Sequence, residues 1–75
     1  MTDVEQVEVD STSIESVGYD ADHAELHLRF RSSGRLYIYQ GVPPEVHERL
    51  LAASSKGQFV NWEIKGVYPY RIYTG

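Results

Sequence analysis

The sequence predicts an α+β domain, a three-stranded antiparallel meander packed by two helices, on three observations. Residues 23–31 alternate strictly, with Ala24, Leu26, Leu28 and Phe30 on one face and Glu25, His27, Arg29 and Arg31 on the other. That period of two marks a half-buried strand. Val46, Leu50 and Ala53 recur at helical spacing behind Pro43-Pro44, and Phe59, Val60 and Ile64 do so after Ser54-Ser55. The strand-like segments all precede the helical ones, which is the order of α+β rather than of alternating α/β folds.

Taken in order, residues 1–8 read as a flexible acidic tail whose apolar points are sparse, and residues 9–75 as one domain. Residues 13–19 are β-branched and half polar, the first predicted strand, and Asp20-Ala21-Asp22 supplies turn chemistry. The second strand is 23–31. Ser32-Ser33-Gly34 is a short loop, so 35–40 should return as its hairpin partner, with Leu36 and Ile38 on one side and Tyr37 and Tyr39 on the other. Gly41-Val42-Pro43-Pro44 stops that strand and opens a helix over 43–53, because a first-turn proline lacks an N–H that would be unpaired anyway. A second helix is expected over 56–65, stopped by Gly66. Tyr68-Pro69-Tyr70 forces an extended backbone, so 67–73 reads as an edge segment or a strap across the core.

Seventy-five residues make one domain, and the absence of Cys removes both disulfides and thiolate zinc sites. A hydrophobic share of 41% argues for a packed core rather than disorder. No apolar run approaches the roughly 20 residues of a membrane span, and Met1-Thr2-Asp3-Val4-Glu5 lacks the features of a signal peptide, so no membrane partner and a cytoplasmic location are expected. The net charge of −4 is unevenly spread: residues 1–28 hold eight acids and no Lys or Arg, whereas 29–75 hold seven bases against three acids. A basic half can present an anion-attracting face on an acidic protein.

Catalysis finds little footing. His23 and His27 lie about 13 Å apart by strand rise, too far to share one ion. Asp20-Ala21-Asp22 lacks the rest of a calcium loop, and no nucleophile-elbow motif is present. A chain this small also has little room for a cavity of the usual ~300–1,000 Å³. The expectation is a binding module with no catalytic residues, no metal and no cofactor.

Two binding surfaces are candidates. Small residues and one cation at Ser54, Ser55, Lys56 and Gly57 could offer backbone N–H groups and charge to a phosphate of RNA or of a nucleotide, although serine caps and interhelical glycines are ordinary helix grammar. Arg29 and Arg31 should project outward from their strand, with Arg35 following after the turn, and could add cationic surface for the same ligand or serve only solubility. Tyr37 and Tyr39 could stack bases, but the alternation of Leu26, Leu28 and Phe30 favours packing them under the helices. Ile38 would then be exposed and, with Leu36 and the Tyr70–Tyr73 edge, could make the chain a homo-oligomer or a partner for another protein. Trp62 is expected to pack against the C-terminal strap.

Gly18-Tyr19-Asp20, Tyr37-x-Tyr39, Val42-Pro43 and Ser54-Ser55-Lys56-Gly57-x-Phe59-x-Asn61-x-x-Ile64, followed by Tyr68-Pro69-Tyr70, together resemble the KTSC domain, over nearly the whole chain from about Val9 to Tyr70. That family takes its name from the C-terminus of some lysyl-tRNA synthetases and includes stand-alone proteins of bacteria and phages. The resemblance implies a small α+β domain with Tyr37, Tyr39, Phe59, Asn61, Ile64, Tyr68 and Tyr70 as structural markers. It implies no catalytic residue, and the synthetase context suggests RNA as a ligand.

Overall fold

The structure, a computed structural model, describes residues 4, 6–9 and 11–73. Five strands and two helices follow in the order β1 (Val7–Glu8), β2 (Ile14–Asp20), β3 (Glu25–Phe30), β4 (Leu36–Gln40), α1 (Pro44–Ala52), α2 (Lys56–Glu63) and β5 (Tyr70–Ile72). All strands join one antiparallel sheet whose spatial order equals the chain order, so every connection except the helical one is a hairpin.

The sheet has five strands where the sequence suggested three, and both additions sit at its margins. Val7 and Glu8 pair with Val17 and Ser16, and two residues are too few for alternation to reveal. The expected strap is a strand: Tyr70, Arg71 and Ile72 pair with Tyr39, Ile38 and Tyr37. The β2–β3 turn takes in Ala24, whose φ of 53° lies in the left-handed region, and Val42 N–H donates to its carbonyl. Leu26 and Leu28 still face one side as the alternation required.

Register fixes the two faces. Val17 and Tyr19 on β2 stand opposite Leu28 and Leu26, which in turn oppose Tyr37 and Tyr39. These side chains form the helix-covered face. They close a core with Val46 and Leu50 of α1, Val60 of α2 and the following Ile64. Ile14, Leu26, Leu28, Leu50 and Ile64 are fully buried. Tyr39 is 2% exposed and Tyr37 half-buried, so the tyrosine strand does lie beneath the helices.

The opposite face carries Ser16, Gly18 and Asp20 of β2, Glu25, His27 and Arg29 of β3, Leu36 and Ile38 of β4, and Arg71 of β5. No helix covers it. Ile38 was expected to be exposed there, yet it is 2% exposed, because Arg71 of β5 stands directly opposite it. The unrecognised fifth strand accounts for that error.

Candidate functional site

The two helices meet at Ser54-Ser55, and the local sequence explains the geometry. Ala53 ends α1 in an extended conformation, and Ser55 caps α2 by accepting from Gln58 N–H at 3.4 Å. Lys56 Nζ reaches back 3.1 Å to donate to the carbonyl of Ala53, one of the last unpaired acceptors of α1. Gly57 packs against the start of β2 so closely that a Cβ would stand 2.9 Å from Ser13 Oγ. Ser13 is held in turn, since its N–H and that of Ile14 both donate to Ser11 Oγ.

This close approach leaves a polar groove along the seam between residues 11–14 and α2. It has two lobes, of about 440 and about 270 Å³, which share Thr12, Ser13, Gly57 and Asn61. Lys56 belongs to the first lobe and Lys65 to the second. Among the described residues no carboxylate lines either lobe.

The predicted basic residues divide. Ser54, Ser55, Lys56 and Gly57 all line the larger lobe. Arg31 is tied to the groove's wall: its Nε donates to the carbonyl of Ser11 at 2.6 Å and its Nη2 to that of Val9 at 3.3 Å. Arg29 turns the other way and donates to Gly34 O at 2.7 Å, bracing the β3–β4 turn. Arg35 is exposed on the same turn. Lys65, whose membership of the basic face the sequence left open, stands over the Phe30 ring at 5.1 Å. Trp62 does not pack against β5 as expected; it is 72% exposed, because Val60 and Ile64 supply the inward stripe of α2.

A second concavity lies on the helix-free face of the sheet, a cleft of about 500 Å³ bordered by Asp20, Glu25, His27, Ile38, Arg71 and Tyr73. Sequence reasoning expected little room for a cavity of this size. The five-stranded width makes the room, and no local signal announces it, because Arg71 joins the cleft only once β5 pairs with β4. Among the described residues no group of three or more His, Cys, Asp or Glu is placed to hold a metal ion. No described helix is long and apolar enough to cross a membrane.

Comparison with known proteins now bears on the geometry. The profile of the KTSC domain matches residues 10–68. The chain belongs to the KTSC domain family. A crystal structure of a KTSC domain protein from Yersinia pestis superposes with a TM-score of 0.91 at 38% identity, over 96% of this chain and all of that one. A protein of Tsukamurella paurometabola is 51% identical over 57 residues, covering 76% of this chain and 84% of that protein. One from Stutzerimonas stutzeri is 44% identical over 62 residues, covering 83% and 86%.

The marker residues of the KTSC resemblance take structural places. Tyr19 donates its hydroxyl to the carbonyl of Val42 and stacks on His47, with centroids 4.9 Å apart. Burial of that ring, ahead of nearby Asp20 and Glu45, holds its hydroxyl above the ordinary phenol range. Tyr70 stacks on Tyr37 and leans on Tyr39, with centroids 5.2 and 5.5 Å apart. Phe59 lies under the Arg49 guanidinium, and Ile64 is fully buried. Asn61 differs from these: it is exposed and lines both lobes of the groove.

Proposed function

We propose that this KTSC domain is a non-catalytic binding module whose ligand is a single-stranded nucleic acid or a nucleotide, held by its phosphates along the Ser11–Ser13/α2 groove. The observation that carries this reading is the lining: hydroxyls, side-chain amides and one lysine in each lobe, with no described carboxylate, on a protein of net charge −4. A groove of one sign on a protein of the other attracts ligands of the opposite sign locally. Lys56 uses one N–H on Ala53 and keeps two for a phosphate oxygen. Arg31 supports the site by bracing Ser11, while Arg29 and Arg35 would contribute only long-range charge.

Titrating labelled single-stranded RNA tests the reading. Two phosphate contacts imply a log–log salt slope near −1.4, so affinity should fall about sevenfold between roughly 50 and 200 mM salt. Lys56→Glu and Lys65→Glu should each weaken binding. Absence of RNA or nucleotide binding at about 50 mM salt, with protein in the 100 μM range, sinks it.

A second reading, a self-associating or protein-binding module, has one observation in its favour. β5 is one of the two edges of the sheet, and Tyr70 and Tyr73 beside it are each 55% exposed. Such an edge can take another strand. Light scattering behind size exclusion would detect the dimer this reading requires, and a monomer across the accessible concentration range counts against it.

A further inference from the structure

Trp62 is the largest side chain of α2 and stands 72% exposed, in a chain with no other tryptophan. The stripes of α2 show what lies on either side of it. Val60 and the following Ile64 enter the core. Gly57, Asn61 and Lys65 recur at four-residue spacing along the groove and line it. Phe59 and Glu63 face α1, where the Arg49 guanidinium lies over the Phe59 ring at 5.4 Å and pairs with Glu63 at 3.7 Å. Gln58 and Trp62, four apart, form the remaining stripe, between the groove and the α1 side. Gln58 itself lines the larger lobe. Helical side chains lean toward the helix N-terminus, so the patch that Trp62 covers lies over the Gln58 turn, at the rim of that lobe. The only acid of α2, Glu63, is turned the other way.

The two cations of the groove are fixed apart. Lys56 Nζ is held on the Ala53 carbonyl and Lys65 Nζ over the Phe30 ring, at opposite ends of an eight-residue helix roughly 12 Å long. One phosphate cannot reach both. Asn61 lines both lobes, which places it at their junction, and Trp62 is the next residue. A chain that set one phosphate in each lobe would therefore carry the nucleotide between them past Asn61 and up to the indole.

Resting on the groove reading above, we propose that the ligand is a single-stranded nucleic acid rather than a free nucleotide, and that Trp62 stacks the base of the nucleotide bridging the two lobes. Stacking on an aromatic face is open to every base, and it adds affinity without adding charge. On a chain of net charge −4, two lysines alone give weak and salt-sensitive binding, so the stacked base supplies what the phosphates do not. The surroundings favour this occupant over an apolar protein surface, because Gln58, Asn61 and Glu63 around the ring are polar and exposed. A lone aromatic among polar side chains is no broad apolar patch.

Short oligoadenylate, an abasic ribose-phosphate oligomer of the same length and adenosine monophosphate form the test set. NMR of labelled protein reads binding, through the Gly57 and Asn61 amides. Emission reads stacking, and with one Trp in the chain it reports on Trp62 alone. Oligoadenylate should quench that emission to saturation, with the same midpoint as the amide shifts. The abasic oligomer keeps the phosphates, and should bind about 5- to 150-fold more weakly and leave emission unchanged. The monophosphate should bind at least about tenfold more weakly than the oligomer. Trp62→Ala should weaken oligoadenylate binding by about 5- to 150-fold with the salt slope unchanged, whereas Lys56→Glu should flatten that slope. Trp62→Phe should recover part of the loss. Groove shifts without quenching overturn the inference and leave the groove reading standing. So does an abasic oligomer or a monophosphate that binds as tightly as oligoadenylate, or a Trp62→Ala chain that binds like the parent. Emission that changes with protein concentration alone assigns Trp62 to a contact between copies and also overturns it. Absence of binding by every probe removes the groove reading itself, and the stacking role with it. The probe comparison uses the unaltered chain, so it decides the matter even if a variant fails to fold.

Discussion

Asp20 and His23 close the β2–β3 turn with Oδ2 and Nδ1 2.8 Å apart, while Asp22 N–H donates to Asp20 Oδ1. The hydrogen bond from His23 holds the Asp20 carboxyl below its ordinary range, and the same bond raises the His23 imidazole above 6.5. His47 moves the opposite way, pushed down by burial under Tyr19, with Glu48 opposing weakly. Folding therefore takes up a proton at His23 and sheds one at His47. The His23 contribution is complete below pH 6.5 and is lost as pH rises through its raised folded value. Protonation of the unfolded chain at His47 costs stability as pH falls from 6.5 through its lowered folded value. Asp20 adds stability above its unfolded value, lost only as acid titrates the folded carboxyl. Urea midpoints taken from about pH 5 to 8 should thus respond with opposite sign. His23→Gln should make stability rise more steeply with pH, and His47→Gln should make it rise less or fall. Slopes that change in the same direction would refute the assignment. Gly57 carries a second prediction at this scale. Alanine normally gains about 1 kcal/mol over glycine within a helix. Here its Cβ would meet Ser13 Oγ at 2.9 Å and Ser13 Cβ at 3.2 Å. Gly57→Ala should therefore lower the melting temperature, and the same change in a Ser13→Gly background should raise it.

The elements differ in how far their sequences announce them. β3 was legible because its alternation is complete, and α1 because Pro43-Pro44 and the Val46–Leu50 spacing agree with its observed start. β1 was not legible, since a two-residue strand has no period, and it is held by partners remote in sequence. Arg31 braces the connection that follows it through the carbonyls of Ser11 and Val9, a contact no local pattern encodes. Burial of Ile38 was misread for the same reason: it depends on a strand more than thirty residues away. At the candidate groove, sequence identified Ser54–Gly57 but not its wall at Thr12 and Ser13, nor Lys65, because the seam forms only when α2 docks on β2. The cleft was missed altogether, because His27 and Glu25 looked like the solvated side of a strand until β5 brought Arg71 beside them. Arg31 yields the prediction for this scale. Replacing it by Ala should free the β1–β2 seam without unfolding the domain. Exchange of the Val9 amide, which donates to Glu15 O at 3.2 Å, should accelerate markedly, with β3–β4 amides unaffected. Arg35→Ala, on an exposed turn, should change neither set; equal acceleration in both variants would remove the role assigned to Arg31.

For the whole molecule, the decisive fact is that one thin core serves both helices and all the long strands. A domain of this size buries roughly 60% of the surface of its unfolded chain and holds a net stability of only ~3–5 kcal/mol. No disulfide supplements it, since the chain has no Cys. Local ion pairs cannot make up the difference: Arg49–Glu63 spans 3.7 Å between side chains about half exposed, a geometry that contributes ~0–1 kcal/mol. Stability must then rest on the few side chains that join helix to sheet, and Leu50 is the clearest of them. It is fully buried on α1 and belongs to the same cluster as Leu26, Leu28 and Tyr39. Truncating a buried leucine to alanine costs about 2–5 kcal/mol, through lost transfer energy and the cavity left behind. That range overlaps the entire stability of the domain, so Leu50→Ala should populate the unfolded state heavily at 37 °C, visible as lost near-UV dichroism and collapsed amide dispersion. Leu51, its neighbour, is 41% exposed, and Leu51→Ala should shift the urea midpoint little, within about 0.5 kcal/mol. The contrast between adjacent leucines tests the architecture directly. If Leu50→Ala remained as stable as the parent, α1 would not be seated on the sheet as described, and the groove that depends on the α1–α2 junction would lose its foundation with it.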